Sequence, residues 1–349
     1  MLKKHLTLLL LLCVANALHA ANYLTFTAEE DNSSFGILSE AMNNPQIQYS
    51  LDNGSTWEEL PNHTLILLNR KGDKALLRGY NPDGFSKDWQ RHTIFVMQRG
   101  AIAASGSVMS LIDGEGESQK IPAPFCFYRL FYACESLIQA PELPATKLDK
   151  NCYDEMFGMC TSLKKAPVLP ATQMAENCYA RMFRGCSSLV QILDLPYAIL
   201  AAGCYEGMFW DCTSLKKAPE LNCPFLYENC YARMFRGCTN LTEAPDLPAL
   251  HVSEHCYDEM FRDCPKISKI TVNISAWGIP VSIRLIYEEG EKDEEYLSRS
   301  TQGWLQGVAS TGTFICPEEL PIEFGEDAIP VGWKVVKTKQ RTYDDIYQD

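Results

Sequence analysis

The sequence has little positive charge. Its 31 lysine and arginine residues are outnumbered by 44 aspartate and glutamate residues, which gives a formal net charge of −13. Nucleic acids and anionic lipid surfaces attract basic proteins, so this balance argues against either as the main partner. After the N-terminus, no segment approaches the roughly 18 uncharged apolar residues that a membrane span needs. We therefore expect no nucleic-acid partner and no transmembrane span in the mature chain.

Recognisable catalytic motifs are also missing. The sequence contains no phosphate-binding loop, no nucleophile elbow and no HExxH pair. Scattered serine, histidine and aspartate residues could still meet in space, so an exported hydrolase remains an alternative. The absence of motifs favours a protein that is not an enzyme and uses no cofactor.

The N-terminus has the pattern of an export signal. The basic start MLKK precedes the apolar run LTLLLLLCVANAL, and small residues follow at a cleavage site near Ala20 or Ala21. Residues 1–21 are predicted to be a signal peptide, which places the mature protein at the cell surface or outside the cell. Lipid anchoring at Cys13 is an alternative, but Leu12 is too bulky for that cleavage site.

A nine-residue frame recurs six times at steps of 26 residues. Twelve of the 15 cysteines occupy its first and ninth positions, and the string CYARMFRGC appears twice without change. Self-similarity at such a period is typical of stacked repeats. Residues 121–273 are therefore predicted to form six coils, whose frames begin at Cys126, Cys152, Cys178, Cys204, Cys230 and Cys256.

The spacing inside each frame predicts a short helix. Cys178, Met182 and Cys186 lie at i, i+4 and i+8, which places them on one face of two helical turns. A proline-containing extended run follows each frame, so each coil is predicted to be one short strand plus one short helix in an α/β solenoid. The predicted structural core consists of Cys152, Met156, Cys160, Leu163, Cys178, Met182, Cys186, Leu189, Cys204, Met208, Cys212, Leu215, Cys230, Met234, Cys238 and Leu241.

The segments on either side of the repeats have a different pattern. Residues 22–113 contain alternating runs such as IQYSLD and TIFVM with turn signals between them, which predicts a small antiparallel β domain. Residues 274–349 contain short β runs and are predicted to form a β-rich C-terminal cap and tail. Both segments would cover the ends of the repeat array.

The repeats resemble the BspA-like leucine-rich repeat surface proteins of Bacteroides and related bacteria. The resemblance depends on the MFxxCxSL core, as at Met156 to Leu163, and on the APxLPAT element, as at Ala166 to Thr172. It implies a leucine-rich repeat fold and a surface recognition role, with adhesion to host proteins known for some members. Departures from the pattern occur at Leu193 and at Leu221 to Pro224, where LNCP replaces LPAT.

The cysteines and histidines allow more than one interpretation. Two cysteines of one frame would lie about 12 Å apart along a helix, so any disulfide would have to join different coils. Buried thiols are favoured, because both columns lie on the predicted apolar face; disulfides and a metal site remain alternatives. His251 and His255 could suggest a metal site, but His255 occupies an asparagine column. No metal is expected.

Candidate binding residues lie at exposed columns of the repeats. Lys164, Lys165, Lys216 and Lys217 recur two coils apart and would form a basic patch or only a solubilising surface. Trp210 replaces a glycine or arginine of its column, so it would be an exposed anchor or would pack on a neighbouring coil. Neighbouring frames alternate in charge, as at Glu155, Arg181 and Glu206, which predicts ion pairs between coils.

The sequence therefore favours a non-enzymatic recognition or adhesion protein. Its partner would be a protein or a glycan at a surface, bound through the repeats. A structural spacer or envelope component without a specific ligand is the alternative, because the repeats could serve only to hold the end segments apart.

Overall fold

The computed structural model describes residues 21–40, 42–192, 194–196, 199–287 and 290–347. Residues 1–20 of the predicted signal peptide, which include Cys13, lie outside the described residues. Leu193, one of the two departures from the repeat pattern, also lies outside them.

The N-terminal segment contains eight strands and one short helix. Its strands are β1 (Leu24–Ala28), β2 (Ser33–Ser39), β3 (Gln48–Ser50), β4 (Glu58–Glu59), β5 (Leu65–Leu68), β6 (Lys74–Arg78), β7 (Thr93–Arg99) and β8 (Ile102–Ser105), and α1 spans Ser110–Asp113. Antiparallel pairing joins β4, β3, β6, β1 and β8 in one sheet and β5, β2 and β7 in another. Every second side chain of β1 is buried, as the LTFTA alternation requires.

The later strands form small separate sheets. They are β9 (Leu137–Gln139), β10 (Lys269–Thr271), β11 (Gly278–Tyr287), β12 (Gly290–Arg299), β13 (Thr313–Pro317) and β14 (Lys334–Thr338), and α2 spans Tyr343–Tyr347. Strand β9 pairs in parallel with β8, while β10, β13 and β14 form a parallel sheet. Strands β11 and β12 form an antiparallel hairpin.

The predicted α/β solenoid of strand-plus-helix coils is wrong. The described chain is β-rich, its only helices are α1 and α2, and neither lies in a cysteine frame. Among the described residues between 121 and 273, the extended runs after the frames form regular strands only at β9 and β10; elsewhere they make isolated bridges such as Lys165 to Gln191.

Each frame is a series of four-residue turns. Just before and within the third frame, Asn177, Arg181 and Gly185 have φ angles of 54°, 51° and 73°. A left-handed residue at every fourth position prevents the run of right-handed residues that an α-helix requires. The N–H of Met182 donates to the carbonyl of Tyr179 at 3.3 Å and closes one of these turns.

Alternate N–H groups connect one frame to the next. The N–H of Tyr179 donates to the carbonyl of Cys204 at 3.0 Å, and that of Phe183 donates to Met208 at 2.9 Å. Successive rings at these positions stack with a centroid spacing of 5.7 Å between Tyr153 and Tyr179. The frames therefore pack directly on one another, although they contain no helix.

A seventh frame, which the cysteine spacing does not reveal, continues this pattern. The N–H groups of Tyr257 and Phe261 donate to the carbonyls of Ser300 and Trp304 at 2.8 and 2.9 Å, as in the earlier frames. The hairpin of β11 and β12 separates this segment from the sixth frame. Because Ser300 replaces the first cysteine and the 26-residue spacing is lost, the frame has no cysteine signature.

One hydrophobic core extends through the described chain. It includes Phe26 in β1, the ring and thiol columns of the frames, and Trp304 and Phe314 near the C-terminal end. Phe95 of β7 stacks on Phe131 of the first frame at 5.3 Å. The N-terminal sheets therefore cover one end of the stacked frames.

Candidate functional site

The predicted lysine patch lies at an exposed edge of the repeats, which we call the lysine edge: Lys164, Lys165, Lys216 and Lys217. All four are exposed. The carbonyl of Lys164 accepts hydrogen bonds from the N–H groups of Val190 and Gln191, each at 3.1 Å. The equivalent carbonyl of Lys216 accepts from the next unit in the same way. Each lysine pair therefore projects from a backbone that is fixed by its neighbour.

The lysine edge differs from the frames in whether its cationic side chains form ion pairs. No lysine of the edge forms an ion pair with any residue that the structure describes. By contrast, Arg181 contacts Asp154 at 2.9 Å and Glu206 at 3.4 Å, and Arg233 contacts Glu206 and Glu259 at 3.0 and 2.9 Å. The predicted ion pairs between frames are thus confirmed, and these arginines are neutralised within the chain. The charges at the lysine edge remain available.

Burial shifts the pKa of Asp154, which forms an ion pair with Arg181. Loss of hydration raises the pKa of its carboxyl to about 6, although the Arg181 guanidinium and the Asn151 amide oppose this shift. The Arg181 guanidinium donates from one nitrogen to both carboxylate oxygens of Asp154 at 2.9 Å. This carboxyl therefore titrates closer to neutral pH than an exposed aspartate does.

Trp210 packs between arginines of the neighbouring units. The guanidinium of Arg184 lies 4.3 Å from its ring centroid and that of Arg236 lies 4.9 Å away. Such contacts are favourable because the ring face is electron-rich. The half-buried indole is therefore engaged with its own chain, as in the packing alternative, and is a poor anchor for a partner.

The predicted structural core residues are all buried. They are Cys152, Met156, Cys160, Leu163, Cys178, Met182, Cys186, Leu189, Cys204, Met208, Cys212, Leu215, Cys230, Met234, Cys238 and Leu241. The described cysteines are free thiols. In the second column from Cys160 onward, each thiol donates to the carbonyl of a phenylalanine 29 residues earlier, as Cys186 does to Phe157 at 3.1 Å. The thiols therefore also connect neighbouring units.

The two histidines have local partners. Nδ1 of His255 lies 2.5 Å from Oδ2 of Asp258, and the His251 ring stacks on Phe225 at a centroid distance of 5.2 Å. Within the described residues, no group of three or more histidine, cysteine, aspartate or glutamate side chains is arranged to hold a metal ion.

A cavity of about 440 Å³ lies at the LNCP departure and was not foreseen from the sequence. Tyr205, Leu221, Cys223 and Phe225 are among the residues that line it. The sequence signal for this cavity is the replacement of LPAT by LNCP. Cys223 there occupies a position at which the LPAT element has alanine. Cys223 is the one described cysteine that is not fully buried.

Comparison of the chain with models of known protein families finds no match, and comparisons with curated proteins and with solved structures find no significant similarity. No helix among the described residues has both the length and the apolar character needed to cross a membrane.

Proposed function

We propose that the protein is a non-enzymatic, exported recognition protein, at the cell surface or secreted, whose lysine edge binds a partner that carries carboxylates. The observation that supports this most directly is the contrast in charge pairing. In a chain with a net charge of −13, four exposed lysines have no ion-pair partner among the described residues, while Arg181 and Arg233 of the frames do. Unpaired cations at matching positions would attract an anionic protein or glycan.

Grooves next to the lysines support the same proposal. Lys165 lines a groove of about 560 Å³ together with Pro141 and Pro167, and Lys217 lines one of about 280 Å³ with Pro219 and Pro245. Both grooves lie beside the extended runs that follow the frames. Prolines keep these runs extended and rigid. An extended partner could therefore contact a proline-lined groove beside each of the two lysine pairs.

The resemblance of the repeats to BspA-like surface proteins leads to the same proposal, and the predicted export signal would bring the lysine edge to such partners. Charge contacts at an interface contribute more to specificity and association rate than to affinity. Salt screens such contacts, so we expect the binding to weaken as the salt concentration rises.

The test is a binding array of glycans and host-matrix proteins, probed with the full mature chain. A fourfold variant carries Lys164→Glu, Lys165→Glu, Lys216→Glu and Lys217→Glu. The matched control reverses four other exposed lysines, namely Lys74, Lys120, Lys147 and Lys339. The two variants have equal net charge, so any difference between them reports the position of the charges.

We expect a salt-sensitive hit that the edge variant loses by at least tenfold and the control retains. Equal loss in both variants would mean that net charge alone drives the binding and would contradict the assigned surface. Absence of any hit would favour the spacer role. Circular dichroism of both variants establishes that the fold is unchanged.

A further inference from the structure

The cavity at the LNCP departure has the dimensions and lining of a small-molecule site. Its volume of about 440 Å³ falls within the roughly 300–1,000 Å³ of typical ligand sites. Tyr205 and Tyr231, which are 1% and 3% exposed, contribute buried rings to its lining. Phe225 and Tyr227 line it as well and are 43% and 51% exposed, so the cavity opens to solvent beside aromatic side chains.

Two exposed apolar side chains at this cavity occupy positions where earlier units have polar side chains. Backbone bridges join Lys147 to Gln173 and Gln173 to Ile199, so these positions form one column across successive units. Phe225 lies 26 residues after Ile199 and continues that spacing. The earlier units thus use lysine and glutamine where the cavity has Ile199, which is 81% exposed, and Phe225. Exposed apolar side chains that are grouped around a cavity indicate a binding site.

The charge around the cavity restricts its ligand. Glu220 is the only charged residue among the described residues that line it. The faces of the surrounding aromatic rings carry negative potential, which attracts organic cations and repels anions. An apolar, aromatic lining beside one carboxylate therefore matches a hydrophobic molecule with a positive charge.

We propose that this cavity binds a small hydrophobic organic cation through the aromatic side chains of Phe225 and Tyr227 and the carboxylate of Glu220. None of the four lysines of the lysine edge lines this cavity, although Glu220 also lines the groove beside Lys217, and the cavity has the opposite charge preference. It does not depend on the function proposed above, because its residues belong to the column and the segment that depart from the repeat.

The test uses three ligands with one aromatic body and different charge: tryptamine, indole-3-acetamide and indole-3-acetate. Their affinities for the full mature chain are measured by calorimetry. We expect tryptamine to bind most tightly, the neutral amide more weakly and the acetate weakest. Equal affinity for all three, or no saturable binding of tryptamine, would overturn the proposal.

Three variants test the named contacts. Phe225→Gln and Ile199→Gln introduce the residue that an earlier unit has in the same column, so the fold is expected to tolerate them, and each should weaken tryptamine binding at least tenfold. Glu220→Gln should lower tryptamine affinity about fivefold, toward that of the amide, because one partly exposed charge pair is lost. Ile322→Gln alters an isoleucine that is 53% exposed elsewhere and should change nothing.

The rate of alkylation of Cys223 shows where tryptamine binds, independently of its affinity. Its thiol lies in the cavity lining and is only partly buried, whereas the cysteines of the frames are buried. Saturating tryptamine should slow alkylation of Cys223 by iodoacetamide, as measured by peptide mass, in the wild-type chain but not in Phe225→Gln. Tryptamine binding that leaves this rate unchanged would place the ligand elsewhere and contradict the proposal.

Discussion

At the scale of single residues, the cysteines act as structural side chains that also donate hydrogen bonds. The thiol of Cys212 donates to the carbonyl of Phe183 at 3.1 Å, and the same contact recurs in the units on either side. Burial raises the pKa of Cys186 to about 12, so this thiol stays protonated near neutral pH. A small apolar side chain with a weak donor fits a site that faces a backbone carbonyl.

Asp154 should make stability depend on pH in the opposite direction to an ordinary ion-paired aspartate. Its pKa is raised from 3.8 to about 6, so the folded state holds the proton more tightly than the unfolded state does. The resulting stabilisation is present below about pH 4 and is lost as the pH rises through 6. The loss corresponds to about 3 kcal/mol at most.

The measurement is the free energy of unfolding in urea between pH 4 and 7 for the wild type and Asp154→Asn. The wild type should lose stability relative to the variant as the pH rises. Asp88→Asn is the control, because hydrogen bonds from Arg91 lower the pKa of the partly exposed Asp88, in the direction opposite to the shift at Asp154. A constant difference between wild type and Asp154→Asn across the range would contradict the assigned pKa.

At the scale of elements, the sequence predicted which side chains are buried but not the backbone that buries them. Cys178, Met182 and Cys186 are buried on one side, as the spacing indicated. A spacing of four, however, fits a four-residue turn better than a helix of 3.6 residues per turn. The distinguishing feature is the left-handed residue, which Gly185 signals most clearly in this frame. Asn177 is a weaker signal of the same kind, and Arg181 adopts the conformation without a sequence signature.

The candidate sites were predictable to different degrees. The lysine edge followed from column positions, because exposed charges at a fixed spacing remain exposed in any stacked arrangement. The surroundings of Trp210 did not, since they depend on how Arg184 and Arg236 orient in three dimensions. The cavity depends on the space left when small residues of the repeat are replaced, and spacing does not describe that space.

Substitutions at Gly185 distinguish a turn from a helix. Gly185 has a φ of 73°, which asparagine tolerates and a β-branched residue does not. Gly185→Val should therefore destabilise the chain by about 1–2 kcal/mol more than Gly185→Asn. Both introduce a Cβ that meets Met159, so this contact is common to the two variants and does not cause the difference between them. Urea unfolding curves measure the difference, and equal stability of the two variants would argue against a left-handed residue there.

At the scale of the whole molecule, the stacked frames share their core with the segments at both ends. Phe131 packs on Phe95 from the N-terminal sheets, and Tyr257 packs on Trp304 of the seventh frame at 6.2 Å. Single repeats cannot bury their own apolar surface, so the end units depend on these covering rings.

A fragment of residues 121–273 should therefore not fold as the same region does in the mature chain. It lacks both Phe95 and Trp304, which leaves the outer rings of the first and sixth frames uncovered. We expect it to associate or to unfold without a cooperative transition, as followed by size-exclusion chromatography and thermal circular dichroism with the mature chain as reference. A monomeric fragment with a sharp transition would show that the repeats suffice.

The hydrogen bonds between frames determine how the protein would respond to mechanical force. They join each frame to the next, so they lie along the direction in which the stack would be pulled from its ends. Tension would then load one interface at a time rather than all of them together. Each released unit would add 26 residues, about 90 Å of extended chain. A protein that tethers a surface to a partner would thereby lengthen in regular steps before its attachment breaks.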